Sequence, residues 1–271
     1  MRIKFMFCAC LIGLTAGSAA FASQPLNRYE WEFGPEIYYF EYKEPALNVK
    51  DKGTMYGFTT AFAYHDPSRL MLKADGHAAY GQVDYSSTDS GTLNGIGDYT
   101  LEGRVSAGYD IDLNNGWLMT PFFGAGYRYL NDDSSGQISS SGAGGYERES
   151  NYFYSPVGAE FSTQLNKDWS LGFSAEYDIF WSGEQKSHLS DAIPGLNTVT
   201  NDQDSGYGVR GAIQFKKMGE KMDVVIEPFI RWWSVEDSNT SNITYAGVIV
   251  GYGYEPKNES LEVGGSITIH Y

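Results

Sequence analysis

Only two cysteines occur in 271 residues, and both, Cys8 and Cys10, fall within the first ten. The rest of the chain offers no thiol for a nucleophile, a thiolate metal site or a disulfide framework. Positive charge is also scarce. There are 19 Lys and Arg against 34 Asp and Glu, a formal charge of -15, the opposite of a nucleic-acid binder. After the first segment there is no apolar run of about 20 residues, so no helix can cross a bilayer. The Ala/Glu/Lys/Leu richness of a coiled coil is missing too. What is present is glycine (32), tyrosine (21) and phenylalanine (15). An aromatic content of 15% excludes a disordered chain. Spread over short alternating segments, this composition belongs to β-structure.

The first residues read as an address. Arg2 and Lys4 form a short positive region, Phe5 to Ala16 is apolar, and Ala20-Phe21-Ala22 is a small-x-small cleavage pattern. The apolar part is too short to span a membrane, so residues 1–22 read as an export signal and 23–271 as one mature domain. Cleavage removes both cysteines and moves the formal charge from -15 to -17. A thiol-free chain suits an oxidising compartment.

Beyond residue 28, period-2 alternation recurs. Ten segments each carry one apolar face. The first reads Tyr29, Trp31, Phe33, Ile37, Tyr39; the last reads Leu261, Val263, Ile267, Ile269, Tyr271. The opposite faces carry Lys73, Asp75, Arg128 and Glu262, among others. Alternation alone does not separate a soluble sandwich from a membrane barrel, which turns the apolar face outward.

Three features favour the barrel. Tyr29, Trp31, Trp117, Trp169, Trp181, Trp232 and Tyr271 cluster near segment ends, where rings with one apolar and one polar side form girdles at the membrane surface. Tight turns at 65–69, 114–116, 166–168 and 218–221 alternate with polar stretches at about 43–53, 87–95, 132–146, 185–204 and 237–257. The strand count is even. The expected fold is therefore all-β, a transmembrane antiparallel up-and-down barrel of ten strands, both chain ends periplasmic. Residues 245–253 are apolar and are assigned to the last long loop, as a small hairpin.

The C-terminal residues Val263, Gly265, Ile267, Ile269 and Tyr271 resemble the terminal strand of bacterial outer-membrane β-barrel proteins, which ends in an aromatic residue after alternating apolar positions. With the export signal, the chain resembles the small, porin-like members of that class. The resemblance implies a Gram-negative outer membrane. It also implies contact with outer-membrane lipid and lipopolysaccharide, and delivery by the barrel-insertion machinery. It names no cofactor, substrate or nucleic acid.

Motifs for chemistry are weak. Gly206-Tyr207-Gly208-Val209-Arg210-Gly211 matches a dinucleotide fingerprint, but no helix follows to meet a pyrophosphate. Asp110-x-Asp112-x-Asn114 opens like a calcium loop, but Gly116 is misplaced and no Glu closes it. Asp191, Asp202 and Asp204 read as solvated loop acids. His65, His77, His188 and His270 show no zinc spacing. Asp75-Gly76-His77 is the sharpest catalytic candidate, since a carboxylate can orient an imidazole base. Omptin proteases, also ten-stranded barrels, pair an Asp-x-His with a carboxylate dyad at the outer rim. Here the pair lies at mid-depth and Asp202-x-Asp204 comes later in the chain, so their catalytic residues do not transfer. No enzyme and no metal or cofactor site is expected.

The expected lumen lining is Glu102, Arg104, Glu160, Glu176, Asp178, Arg210, Glu227 and Arg231, with Glu227 beside the two later arginines. These charges either close a narrow barrel as Arg–carboxylate networks or line a narrow pore that prefers cations. Three functional readings follow: a porin-like pore for small solutes, a non-conducting surface barrel acting through its outer loops, and an omptin-like protease.

Overall fold

The computed structural model describes residues 28–113 and 115–271; the expected export signal lies outside the described residues. Ten strands make the wall: β1 (Tyr29–Glu44), β2 (Val49–His65), β3 (Leu70–Ser87), β4 (Gly91–Tyr109), β5 (Trp117–Asp133), β6 (Glu147–Asn166), β7 (Trp169–His188), β8 (Gly206–Lys217), β9 (Asp223–Val235) and β10 (Asn258–His270). Each pairs antiparallel with its sequence neighbours, and β10 pairs back onto β1, for example Ile37 with Gly265. Closure leaves no strand edge unpaired, which a wall inside lipid requires. At the seam, Trp31 and Tyr271 exchange two backbone hydrogen bonds of 2.8 Å.

The side-chain phase is the one read from the sequence. Phe33, Ile37, Phe58, Leu72, Leu101, Val105, Phe123, Val157, Phe173, Ile213, Ile230, Val263, Ile267 and Ile269 are exposed on the outer surface. In water such a surface would be unstable; facing lipid it is the expected arrangement. Tyr29, Trp31, Trp169 and Tyr271 ring one end, and Tyr39, Tyr56, Tyr80, Tyr99, Tyr127 and Trp181 ring the other. The first ring lies at the short-turn end, where Gly116 takes the left-handed φ of +81° that its tight turn needs.

At the opposite end the wall is uneven. β6 and β7 have 20 residues each, whereas β8 has 12 and β9 and β10 have 13. About ten residues suffice to cross the hydrocarbon, so the long strands extend beyond the second aromatic ring. Over the low side, the strand Thr198–Gln203 pairs with the end of β7. The hairpin Ser241–Tyr245/Val248–Gly253 stands next to it, with Asn197 accepting from the Thr244 amide. The expected hairpin at 245–253 is thus present, beginning slightly earlier.

Two of the five expected long loops are not loops. Most of 43–53 and 87–95 belongs to strands, and the turns are only residues 45–48 and 88–90. The polar composition there reflects wall that has left the membrane and meets water on its outer side.

Candidate functional site: a charged seal and an outer chamber

Register places the inward phase of several strands at one height. Arg210 on β8 lies directly across from Glu176 on β7, and Gly208 across from Asp178. Arg210 Nε donates to Asp178 Oδ2 at 2.6 Å. Its Nη1 crosses the lumen to Glu102 Oε2 on β4 at 2.8 Å. Arg104 Nε donates to Asp75 Oδ2 at 2.6 Å, and its Nη1 crosses to Glu176 Oε1 at 2.8 Å. Five of the eight expected lining residues therefore form one network.

Arg231 belongs to an adjoining group. Its guanidinium donates to Glu262 Oε2 at 3.0 Å and Glu36 Oε2 at 3.1 Å. Arg128 reaches from β5 across the lumen to Glu262 Oε1 at 2.5 Å, and both side chains are 1% exposed. His77 links the groups, with Nδ1 2.8 Å from Glu36 and Nε2 2.9 Å from Glu102. Both nitrogens face carboxylates, with Nε2 making the hydrogen bond, and Asp75, its partner in the Asp-x-His motif, is bound to Arg104 instead.

The remaining two expected residues lie apart. Glu160 accepts from Lys73 at 2.7 Å. Glu227 has its hydrogen bond with Gln214, at 2.5 Å. It lines a polar chamber with Glu32, Lys73 and Asp75 that also reaches Arg210 and Arg231, the two arginines beside which it was expected.

Aromatic rings fill the rest of the section, and lumen reasoning from charge missed them. Tyr38, Tyr152, Tyr154 and Trp233 are almost fully buried inside. Tyr154 and Trp233 meet edge to face at 4.9 Å. Arg128 and Arg210 both lie over Trp233 at 5.4 Å, and Arg231 over Phe229 at 4.0 Å, a packing that suits planar guanidinium groups. Gly126 gives the Tyr154 ring its place, because a Cβ there would collide with it. The signal was legible: Tyr38-Tyr39-Phe40, Tyr152-Phe153-Tyr154 and Trp232-Trp233 put aromatics in both phases of a strand.

Beyond the seal, toward the long-loop end, the balance changes. A small cavity is lined by Phe40, Tyr42, Asp51, Asp98, Leu130, Asn131, Asp132, Arg148, Ser150 and Gln185. It continues into a chamber of about 500 Å³ that shares Asp51, Asp132 and Arg148 with it. Arg148 is committed to Glu44 at 2.9 Å and Glu255 at 2.5 Å. Asp51 Oδ1, Asp98 Oδ1 and Asp132 Oδ2 are buried without a hydrogen-bond partner. Burial, reinforced by the neighbouring acids, pushes the Asp51 carboxyl up to about 8 and the Asp132 carboxyl up to about 6. The Asp98 carboxyl is raised well above the usual range for the same reasons.

On the outer surface, Glu147, Glu149 and His188 place ligand atoms within 4.8 Å of one another. His188 Nε2 lies 2.8 Å from Glu149. Asp191 and Asp202 do not gather there as a cation site: Asp191 accepts from the Glu147 amide and Asp202 from Asn239.

A family model described as the autotransporter beta-domain matches residues 48–218, more than half of the chain and all of β2 to β8. Among solved structures, the outer membrane protease OmpT from Escherichia coli superposes with a TM-score of 0.62 at 11% identity, covering 90% of this chain and 96% of that one. The outer membrane protein OprG from Pseudomonas aeruginosa matches at 12% identity with a TM-score of 0.34, covering 90% and 95%. The beta domain of the Bordetella autotransporter BrkA matches at 13% identity with a TM-score of 0.36, covering 89% and 99%. A search of curated proteins finds no match. The likeness to OmpT is one of fold, a ten-stranded barrel.

Proposed function

The chain belongs to the autotransporter beta-domain family, and from that premise we propose a closed outer-membrane barrel that works at its long-loop face. The short turns and both chain ends face the periplasm, and the outer chamber faces the medium. One observation carries this reading: the Arg128–Glu262 bridge, 1% exposed at both ends, joins β5 to β10 across the lumen. Arg210–Glu102 and Arg104–Glu176 cross the lumen as well. A polypeptide or solute in transit would have to break several charge-assisted bonds at once, each worth more than a neutral one.

A second reading keeps the expected porin-like pore. It is favoured by the polar chamber on the short-turn side and the acidic chamber beyond the seal, which would attract cations if the seal yielded. No hydrolytic role is proposed for His77, which is buried at mid-lumen between two carboxylates.

Planar-bilayer conductance of the refolded chain separates the two readings. Wild type is expected to be silent, and Tyr154→Ala/Trp233→Ala to show unit steps. Cation-preferring steps in wild type would establish the pore instead. A fall of that preference in Glu160→Gln/Glu176→Gln would then place its lining.

A further inference from the structure

We propose that the small cavity above the seal is a binding seat for a primary ammonium group entering from the outer chamber. The observation is three carboxylates around one cavity, each with a buried oxygen that has no partner. Asp51 and Asp98 are only 5% and 4% exposed. Buried polar atoms are nearly always satisfied, and an unpaired buried carboxylate is among the most costly exceptions. The one cation in the lining, Arg148, is already held by Glu44 and Glu255. The cavity thus carries surplus acid that the protein does not neutralise.

The shape and lining choose the class of cation. Ligand atoms around a single metal must lie close together, and among the described residues only Glu147, Glu149 and His188 form such a trio within 4.8 Å. Asp51, Asp98 and Asp132 are spread wider. An ammonium does not need all three: it takes two carboxylates at about 2.8 Å and a neutral acceptor, and the lining also holds the amides of Asn131 and Gln185. Phe40 supplies aromatic surface, which attracts ammonium groups, while the Tyr42 ring is already covered by Arg148 at 5.5 Å. Leu130 adds an apolar wall for methylenes. The cavity takes only a head group, and the chamber above it has room for the attached chain. The ligand class is an aliphatic primary amine: a free amine, or a lysine side chain of an exposed peptide.

Mutual repulsion and burial keep protons on part of the triad, as the raised Asp51 and Asp132 carboxyls indicate. The other ionisable groups facing it are Arg128 and Glu262 beside Asp98, Asp133 beside Asp132, and Tyr42, Glu44, Tyr85, Asp89, Tyr146, Arg148, Tyr254 and Glu255 around the cavity and chamber. An arriving ammonium stabilises the ionised carboxylates, so binding releases protons to the buffer.

The test is isothermal titration of the refolded chain in non-ionic detergent with 1,5-diaminopentane, in two buffers of different ionisation enthalpy. Saturable binding is expected, with an enthalpy that depends on the buffer. Asp98→Asn and Asp51→Asn should each weaken it about tenfold or more, while Glu184→Gln on the outer surface leaves it unchanged. Both chamber variants remove repulsion without changing shape, and heat-modifiable mobility in SDS verifies their folding. Three results would overturn the proposal: no saturable amine binding, equal loss in Glu184→Gln, or binding of calcium ions in place of the amine. The proposal rests on the outer chamber being the working face, not on the seal. Wild-type conductance with amine binding intact would remove only the sealed-lumen reading.

Discussion

At the height of Arg128, buried carboxylates meet guanidinium groups: Glu262 has two, and Glu102 has Arg210. A short way toward the long-loop rim, Asp51 and Asp98 are as deeply placed, Asp132 is half-buried, and none has an ion pair. The first level is self-sufficient. Its carboxylates all have a cationic partner, even where Glu36 Oε1 and Asp178 Oδ1 make no hydrogen bond, and aromatic rings fill much of the remaining space, as a wall tie requires. The second level is incomplete without something from outside. Balanced buried charge is architecture, whereas unbalanced buried charge in a cavity that opens outward marks a place where a partner completes the structure.

The most direct way to break this contrast is to unbalance the lower level. Arg128→Ala leaves Glu262 facing one arginine in a dry section. Removing one member of a buried pair costs about 3–5 kcal/mol. A fall of that size in urea stability is expected, read by the heat-modifiable shift in SDS. Arg128→Met/Glu262→Leu should recover most of it, since an apolar replacement of a whole buried pair is often neutral. If the single variant were as stable as wild type, the bridge would not be a structural tie.

Opening the aromatic part of the same level is read in conductance, not in stability. Tyr154→Ala/Trp233→Ala removes two rings in contact at 4.9 Å and should convert a silent bilayer trace into unit steps. A silent double variant would assign the seal to the ion pairs alone.

The upper level is sharpened by pH. Burial and the neighbouring acids push the Asp51 carboxyl up to about 8 in the folded protein, well above a free carboxyl at about 4. Between those values the folded state holds a proton that the unfolded chain has lost, so stability falls as pH rises through this window and levels off above it. Asp132, at about 6, adds to the lower part. Unfolding temperature should therefore decline from about pH 4 to about pH 8, and Asp51→Asn should flatten the decline. An unchanged slope in that variant would show that the Asp51 carboxyl is not strained.

Much of this arrangement was legible in the chain. A two-residue period with a constant apolar phase is set locally, so the strands, the outward face and the seam residues Val263 to Tyr271 followed from it. The same period put the eight named lining residues on the opposite phase. Which charges meet was not legible, because contacts such as Arg128–Glu262 depend on barrel closure and curvature, not on neighbouring register. Glu227 shows the limit: it shares a cavity with Arg210 and Arg231, but its hydrogen bond goes to Gln214, a partner that nothing in the chain announces. The short turns at 45–48 and 88–90 were misread because polar composition marks contact with water, and the outer wall meets water too.

The smallest expected effect sets the scale for the others. Lys257 and Glu236 form an ion pair at 2.5 Å with 42% and 47% of their side chains exposed. The distance rivals that of Arg128–Glu262, so geometry alone would rank the two pairs as equals. Water decides otherwise. An exposed pair gives up little solvation, is screened by salt, and loses side-chain freedom on forming, which leaves about 0–1 kcal/mol. Lys257→Ala should therefore change urea stability by less than about 1 kcal/mol, and added salt should erase the difference. A loss comparable to that of Arg128→Ala would mean that separation, not burial, governs these bridges, and the contrast between the two levels of the lumen would lose its physical basis.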